Sequence, residues 1–124
     1  MHLVEILLKN SEQDRKVLDH NASIGDRMEE PRDIDFAFHS RDEGQAKTVG
    51  SFFIDNHYGM PKLELVDDPK FGRFYRLTVV IKAPATEHIV CSISGLMACI
   101  GAIFGIEYVG WGSFVQNGDA RGTR

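Results

Sequence analysis

The chain is poor in the residues that staple or metallate small domains: its 124 residues include two cysteines, four prolines and one tryptophan. Cys91 and Cys99 lie eight positions apart in one apolar segment. At about 1.5 Å of helical rise per residue they sit roughly 12 Å apart, so they read as buried thiols rather than a disulfide. With no CxxC pair and no clustered histidines, neither a zinc site nor another cofactor is expected. Phosphate cradles are missing too. GxGxxG and GxxxxGK followed by Ser or Thr do not occur, and no helix follows the glycines at 110 and 112. Positive charge is not in excess: the net charge is −4 and the pI near 5.7, so direct nucleic-acid binding is not expected. The opening MHLVEILLKN places Glu5 in its apolar run and lacks a basic leader, unlike a secretory signal, and a cytoplasmic location is the expectation. An uncharged run from Ile89 to Ile106 approaches the length of a membrane span, but Ser92, Ser94, Gly95, Gly101 and Gly105 dilute it, and no span is expected.

What is present, 43% hydrophobic and 26% charged residues, suits one globular domain with its own core. Leu3, Ile6, Leu7, Val17 and Leu18 predict an amphipathic helix over about 3–20, broken near Asn10 and Ser11, with a Gly- and Pro-containing linker after it. Residues 1–30 are thus helix and linker, 31–116 the main α+β unit, and 117–124 a flexible tail, all in one structural domain. In RDIDFAFHS, Ile34, Phe36 and Phe38 alternate with polar or small neighbours, the period of a half-buried strand. Ser40 and Glu43 form a capping-box pattern for a helix carrying Ala46, Val49, Gly50 and Phe53, with Gly59 as its left-handed stop. Two strands follow, joined by a turn at Asp67, Asp68 and Pro69 and ending before Pro84.

The apolar segment from Thr86 to about Gly105 predicts a second helix with two apolar faces. Ile89, Ile93, Leu96, Met97, Ile100 and Phe104 would cover the sheet. Cys91, Gly95, Ala98, Cys99 and Ala102 form a small-residue side that the N-terminal helix or a second copy of the chain must cover. A homodimer through residues 86–105 is therefore an expectation. The order after the first helix is strand, helix, strand, strand, helix, strand. With right-handed crossovers this gives a ferredoxin-like βαββαβ sandwich, a four-stranded antiparallel sheet with two helices on one face.

With Ile34, Phe36 and Phe38 turned to the helices, the open face of the sheet carries Asp33, Asp35, His39, Arg76, Thr78 and Lys82. Cations near Asp33 and Asp35 favour their ionised forms, and these read as cross-strand ion pairs rather than acid and base catalysts. No Ser or Cys is placed to serve as a nucleophile for His39. In the final strand, strict alternation sets Tyr108 with Gly110 and Gly112, and Trp111 on the open face, where it would either anchor a protein partner or fold over the sheet edge or pack on the N-terminal helix. Glycines on both sides of the one tryptophan suggest a bulge or a close backbone approach. An alternative to protein binding is a small-molecule or enzymatic site built from Asp33, Asp35, His39 and Arg76.

PRDIDFAF (residues 31–38), the capped helix after it, and EYVGWGSF (residues 107–114) together resemble the regulator of ribonuclease E activity B (RraB-like) family, whose pattern opens on PRxIDF and closes on EYDGWG. Here Val109 replaces the Asp of that pattern, and two arginines stand in the final segment in place of an acidic tail. The resemblance covers roughly residues 3–115. It implies a ferredoxin-like fold and a non-enzymatic bacterial regulator that binds ribonuclease E and modulates RNA degradation. The protein-binding candidates are Tyr108, Gly110, Trp111, Gly112, Asp33, Asp35 and Arg76.

Overall fold

In the computed structural model, which describes residues 3–113, the chain runs α1 (Leu3–Ser23), β1 (Pro31–Ser40), α2 (Glu43–Asp55), β2 (Met60–Asp68), β3 (Gly72–Pro84), α3 (Glu87–Phe104) and β4 (Glu107–Gly112). The predicted flexible tail at 117–124 and Phe114 lie outside the described residues. The strands form one antiparallel sheet in the order β2-β3-β1-β4, the ferredoxin-like arrangement predicted from element order. Ile34, Phe36 and Phe38 of β1 and Leu77 and Val79 of β3 are buried against Val49 and Phe53 of α2 and Val90, Met97 and Ile100 of α3. Aromatic contacts bind the layers: Phe38 lies 5.8 Å from Phe53 and 5.3 Å from Tyr108, and Phe52 joins Phe104 at 5.2 Å between the two helices.

The first helix is longer than predicted and unbroken. Asn10 and Ser11 do not interrupt it because their side chains bond elsewhere: Asn10 donates to Asp14 and Ser94, and Ser11 accepts from Arg15 one turn on. It packs beside α3, answering in part what covers the small-residue side of that helix. α3 is 18 residues with a mean hydropathy of 1.7, long and apolar enough by composition to cross a bilayer, yet here it lies between the sheet and α1. The predicted sheet-facing stripe is shifted: Val90, Ser94 and Ala98 are buried, whereas Leu96 is exposed. The two cysteines are free thiols, as their spacing implied, but each is only half-buried rather than buried.

Three boundary signals are realised by different residues. Asp42, not Ser40, caps α2, its Oδ1 accepting the N–H groups of Gly44 (2.9 Å) and Gln45 (3.4 Å). Ser40 belongs to β1 and reaches Gln45 Oε1 at 2.6 Å, while Glu43 pairs with Lys47. After α2 the left-handed residue is His57 (φ 56°). Gly59, two residues on, holds φ at 152° and is crowded as well, since a Cβ there would meet Val79 at 2.8 Å and Ile81 at 2.9 Å. The hairpin turns two residues later than predicted, at 69–71, where Asp68 Oδ1 accepts from the N–H groups of Lys70 (2.7 Å) and Phe71 (2.9 Å), and β3 continues through Pro84.

The connection between α1 and β1 is pinned rather than loose. Arg32, buried on the helix side of β1, places Nη1 2.8 Å from both carboxylate oxygens of Asp26 and donates to the carbonyls of Glu30 and Arg27. The alternation that marked Ile34, Phe36 and Phe38 puts Arg32 on the same buried face, and the close contact of Nη1 with both carboxylate oxygens, together with the carbonyl acceptors, offsets the loss of hydration.

Candidate functional site

The structure corrects the alternation expected in the last strand. β4 carries a bulge opposite the Ala37/Phe38 step: Phe38 faces Tyr108, Ala37 faces Gly110 and Phe36 faces Trp111, leaving Val109 as the extra residue. Directly opposed residues share a face, so Tyr108 and Trp111 both turn toward the helices with Phe38 and Phe36. Gly110 holds φ at 125°, a conformation L side chains rarely adopt, and this makes the bulge possible. Gly112 has neither a positive φ nor any atom within 4 Å of a hypothetical Cβ. The two glycines around the tryptophan therefore have different reasons. One turns Trp111 inward; the other leaves an uncovered position opposite Asp35.

Trp111 is consequently no open-face anchor. Its Nε1–H donates to Asp14 Oδ1 at 3.0 Å, tying β4 to α1. Asn10 Nδ2 donates to Asp14 Oδ2 at 3.2 Å and to Ser94 Oγ at 3.1 Å, and Ser94 Oγ lies 2.8 Å from Tyr108 Oη. Five side chains from α1, α3 and β4 thus close one polar network at the point where the three elements meet. Asp14 is only 4% exposed. Burial pushes its carboxyl above the ordinary value, opposed by hydrogen bonds from Ser94 and Trp111. Burial likewise pushes the Tyr108 phenol well above its usual value, so its hydroxyl stays protonated as a hydrogen-bonding group. The sequence signal was the amide, carboxylate and leucine at 10, 14 and 18, one stripe of a helix, but a polar stripe normally marks a solvated face.

The remaining candidates gather where predicted, on the open face of the sheet. Asp33 stands opposite Lys82, Asp35 opposite Val80, and His39 opposite Arg76. Arg76 is the hub: Nε donates to His39 Nε2 at 3.3 Å, Nη1 lies 3.7 Å from Glu64, and the guanidinium sits 5.9 Å from the Phe74 ring centroid. The His39 ring lies 4.5 Å from that of Phe74. Burial and Arg76 lower the pKa of His39 while Glu107, opposite it on β4, raises it. The imidazole is thus held neutral, with one nitrogen occupied as an acceptor. A groove of about 770 Å³ runs from this face around β4 toward α1, lined by His39, Arg76, Asp35, Gly112, Trp111 and Gln13 among others. No group of three or more metal-ligating side chains occurs among the described residues. The open face therefore offers the acids Asp33, Asp35 and Glu64, the cations Arg76 and Lys82 and a neutral histidine, a surface suited to electrostatic recognition.

The family model described as Regulator of ribonuclease activity B matches residues 11–113, which span every strand, α2, α3 and the second half of α1. The chain belongs to that family. No match is found among curated proteins.

Proposed function

We propose that this protein is a non-enzymatic, cytoplasmic bacterial regulator that binds ribonuclease E and modulates RNA degradation. The observation that carries the reading is the family match over residues 11–113. An acidic chain that recognises a protein rather than RNA is consistent with its net charge of −4. With Trp111 committed to Asp14, the contact surface in this reading is the open sheet face: Asp33, Asp35 and Arg76, with the uncovered backbone at Gly110 and Gly112 beside them. Exposed charges of both signs favour oriented encounter over bulk affinity.

The test uses immobilised ribonuclease E and the purified full chain, with nuclease present. The wild-type chain is retained, and the charge reversals Asp35→Arg and Arg76→Glu each weaken retention while circular dichroism stays native. Failure of the wild type to be retained overturns the partner; undiminished retention of both variants overturns the surface.

The groove beside His39 and Arg76 supports the ligand-binding alternative. Native mass spectrometry of the purified chain would favour that alternative if it shows a small molecule that is lost in His39→Ala. A second copy would dock on the outer side of α3, where Leu96 and Ile103 are exposed. Sedimentation of wild type and Ile103→Glu measures that dimer directly.

A further inference from the structure

The docking of α1 combines features that ribonuclease binding does not explain. Along this 21-residue helix only Asp14 and Leu18 are buried, while Leu3, Val4, Leu8 and Val17 stand exposed. Helices in folded chains draw most of their stability from packing an amphipathic face, so the order of α1 depends on what it packs against. The specific contacts are polar: the Trp111 indole N–H on Asp14, and the Asn10 amide on Ser94. The seat itself is preformed by other elements. Ser94 and Ala98 of α3 keep side chains small where a helix approaches, and Trp111 and Tyr108 of β4 aim an N–H and a hydroxyl into the contact.

The attachment of α1 also has a natural hinge. Gly25, just past the helix, holds φ at 88°, and the chain is fixed immediately beyond it by the Asp26 and Arg32 ion pair and by the Ala85 N–H on the Met28 carbonyl at 2.8 Å. Rotation about residues 24 and 25 moves α1 at the cost of the Gly25 N–H bond to the Ala22 carbonyl and the Asp26 N–H bond to the Asn21 carbonyl, while leaving the anchored segment and the sheet in place.

We infer that α1 is a detachable cover, and that the seat it vacates is a docking surface for a partner's amphipathic helix. The seat defines the occupant, because α1 shows what it accepts: an amide, a carboxylate and a leucine at four-residue spacing, as at Asn10, Asp14 and Leu18. The carboxylate meets the Trp111 N–H, the amide meets Ser94, and the leucine enters the core cluster beside α3. A basic side chain in place of the carboxylate offers the Trp111 N–H no acceptor. The surface is distinct from the open sheet face, so it stands or falls apart from ribonuclease E binding there.

A fluorescein-labelled peptide of residues 3–23, titrated with the unlabelled full chain, tests the exchange by anisotropy. The peptide binds saturably and is displaced by its unlabelled form. Binding weakens about tenfold when the peptide carries Asp14→Ala, the size expected from losing a charge-assisted hydrogen bond, and strengthens by a similar factor when the full chain carries Asp14→Ala, because its own helix then competes less. Native-state hydrogen exchange provides the second readout: α1 amides open while those of β1 and β3 stay protected. A peptide that does not bind, binding indifferent to both substitutions, or α1 amides as protected as those of β1 each overturn the proposal. If two copies swap α1 and dimerise while the free peptide does not bind, the partner-helix occupant is overturned in favour of a second copy.

Discussion

Gly110→Ala and Gly112→Ala form a matched pair that isolates what the bulge requires. Neither added Cβ meets an atom within 4 Å, so packing contributes nothing to the difference. At Gly110 the φ of 125° lies where an L side chain costs about 1–3 kcal/mol, of which roughly 0.4–1 kcal/mol is returned because alanine has fewer unfolded conformations to lose. The net expectation is a destabilisation of about 1–2 kcal/mol. At Gly112 there is no such strain, and alanine in a strand should stabilise by up to about 0.5–1 kcal/mol. The two variants should therefore differ by about 2 kcal/mol in urea unfolding, with unchanged slopes. Trp111 emission supplies an independent readout. If alanine at 110 straightens the strand, one residue of slip carries the indole to the open face and its emission shifts to the red. Equal stabilities for the two variants would refute the claim that the left-hand glycine is there for the bulge.

Burial raises the Asp14 carboxyl above its ordinary 3.8, so the folded chain holds that proton more tightly than the unfolded chain does. Its contribution is most favourable below pH 3.8 and falls as pH rises from there through the folded value. The stability of wild type relative to Asp14→Asn should decline across that window in urea titrations and then level off. Arg32→Ala leaves the Asp26 carboxylate buried without its guanidinium partner, and a loss of about 3–5 kcal/mol is expected by thermal or chemical unfolding; a loss below 1 kcal/mol would show the pair to be dispensable. By NMR titration His39 should ionise below 6.5, and Arg76→Gln should move it upward by removing a neighbouring positive charge; an unmoved value would contradict the contact. Because the folded chain resists protonating His39, the stability tied to its neutral form is lost as pH falls through the ordinary 6.5 toward the folded value.

Periodicity was enough to order the elements. Period two in Ile34, Phe36 and Phe38 marked the buried face of β1, and through register it placed Asp33, Asp35, His39 and Arg76 together on the other face. The order of strands and helices left one sheet topology compatible with right-handed crossovers. Caps and turns were legible in kind but not in position, because Asp42, His57 and residues 69–71 satisfy the same backbone groups that Ser40, Gly59 and Asp67 to Pro69 could also have satisfied.

The sequence left Trp111 open between the sheet's outer face and the N-terminal helix, and could not choose between them. Alternation assumes an uninterrupted strand, and a single inserted residue at Val109 reverses every side chain after it. The polar network was hidden for a related reason: bonded pairs among Asn10, Asp14, Ser94, Tyr108 and Trp111 are separated by up to 97 positions, and their types taken singly describe a solvated helix and a strand end. The sequence by itself determined which surfaces are apolar, and that set the layers of the fold. Only tertiary packing decided which polar groups are shut inside, since the cost of burying Asp14 is met by donors that the folded chain alone brings within reach.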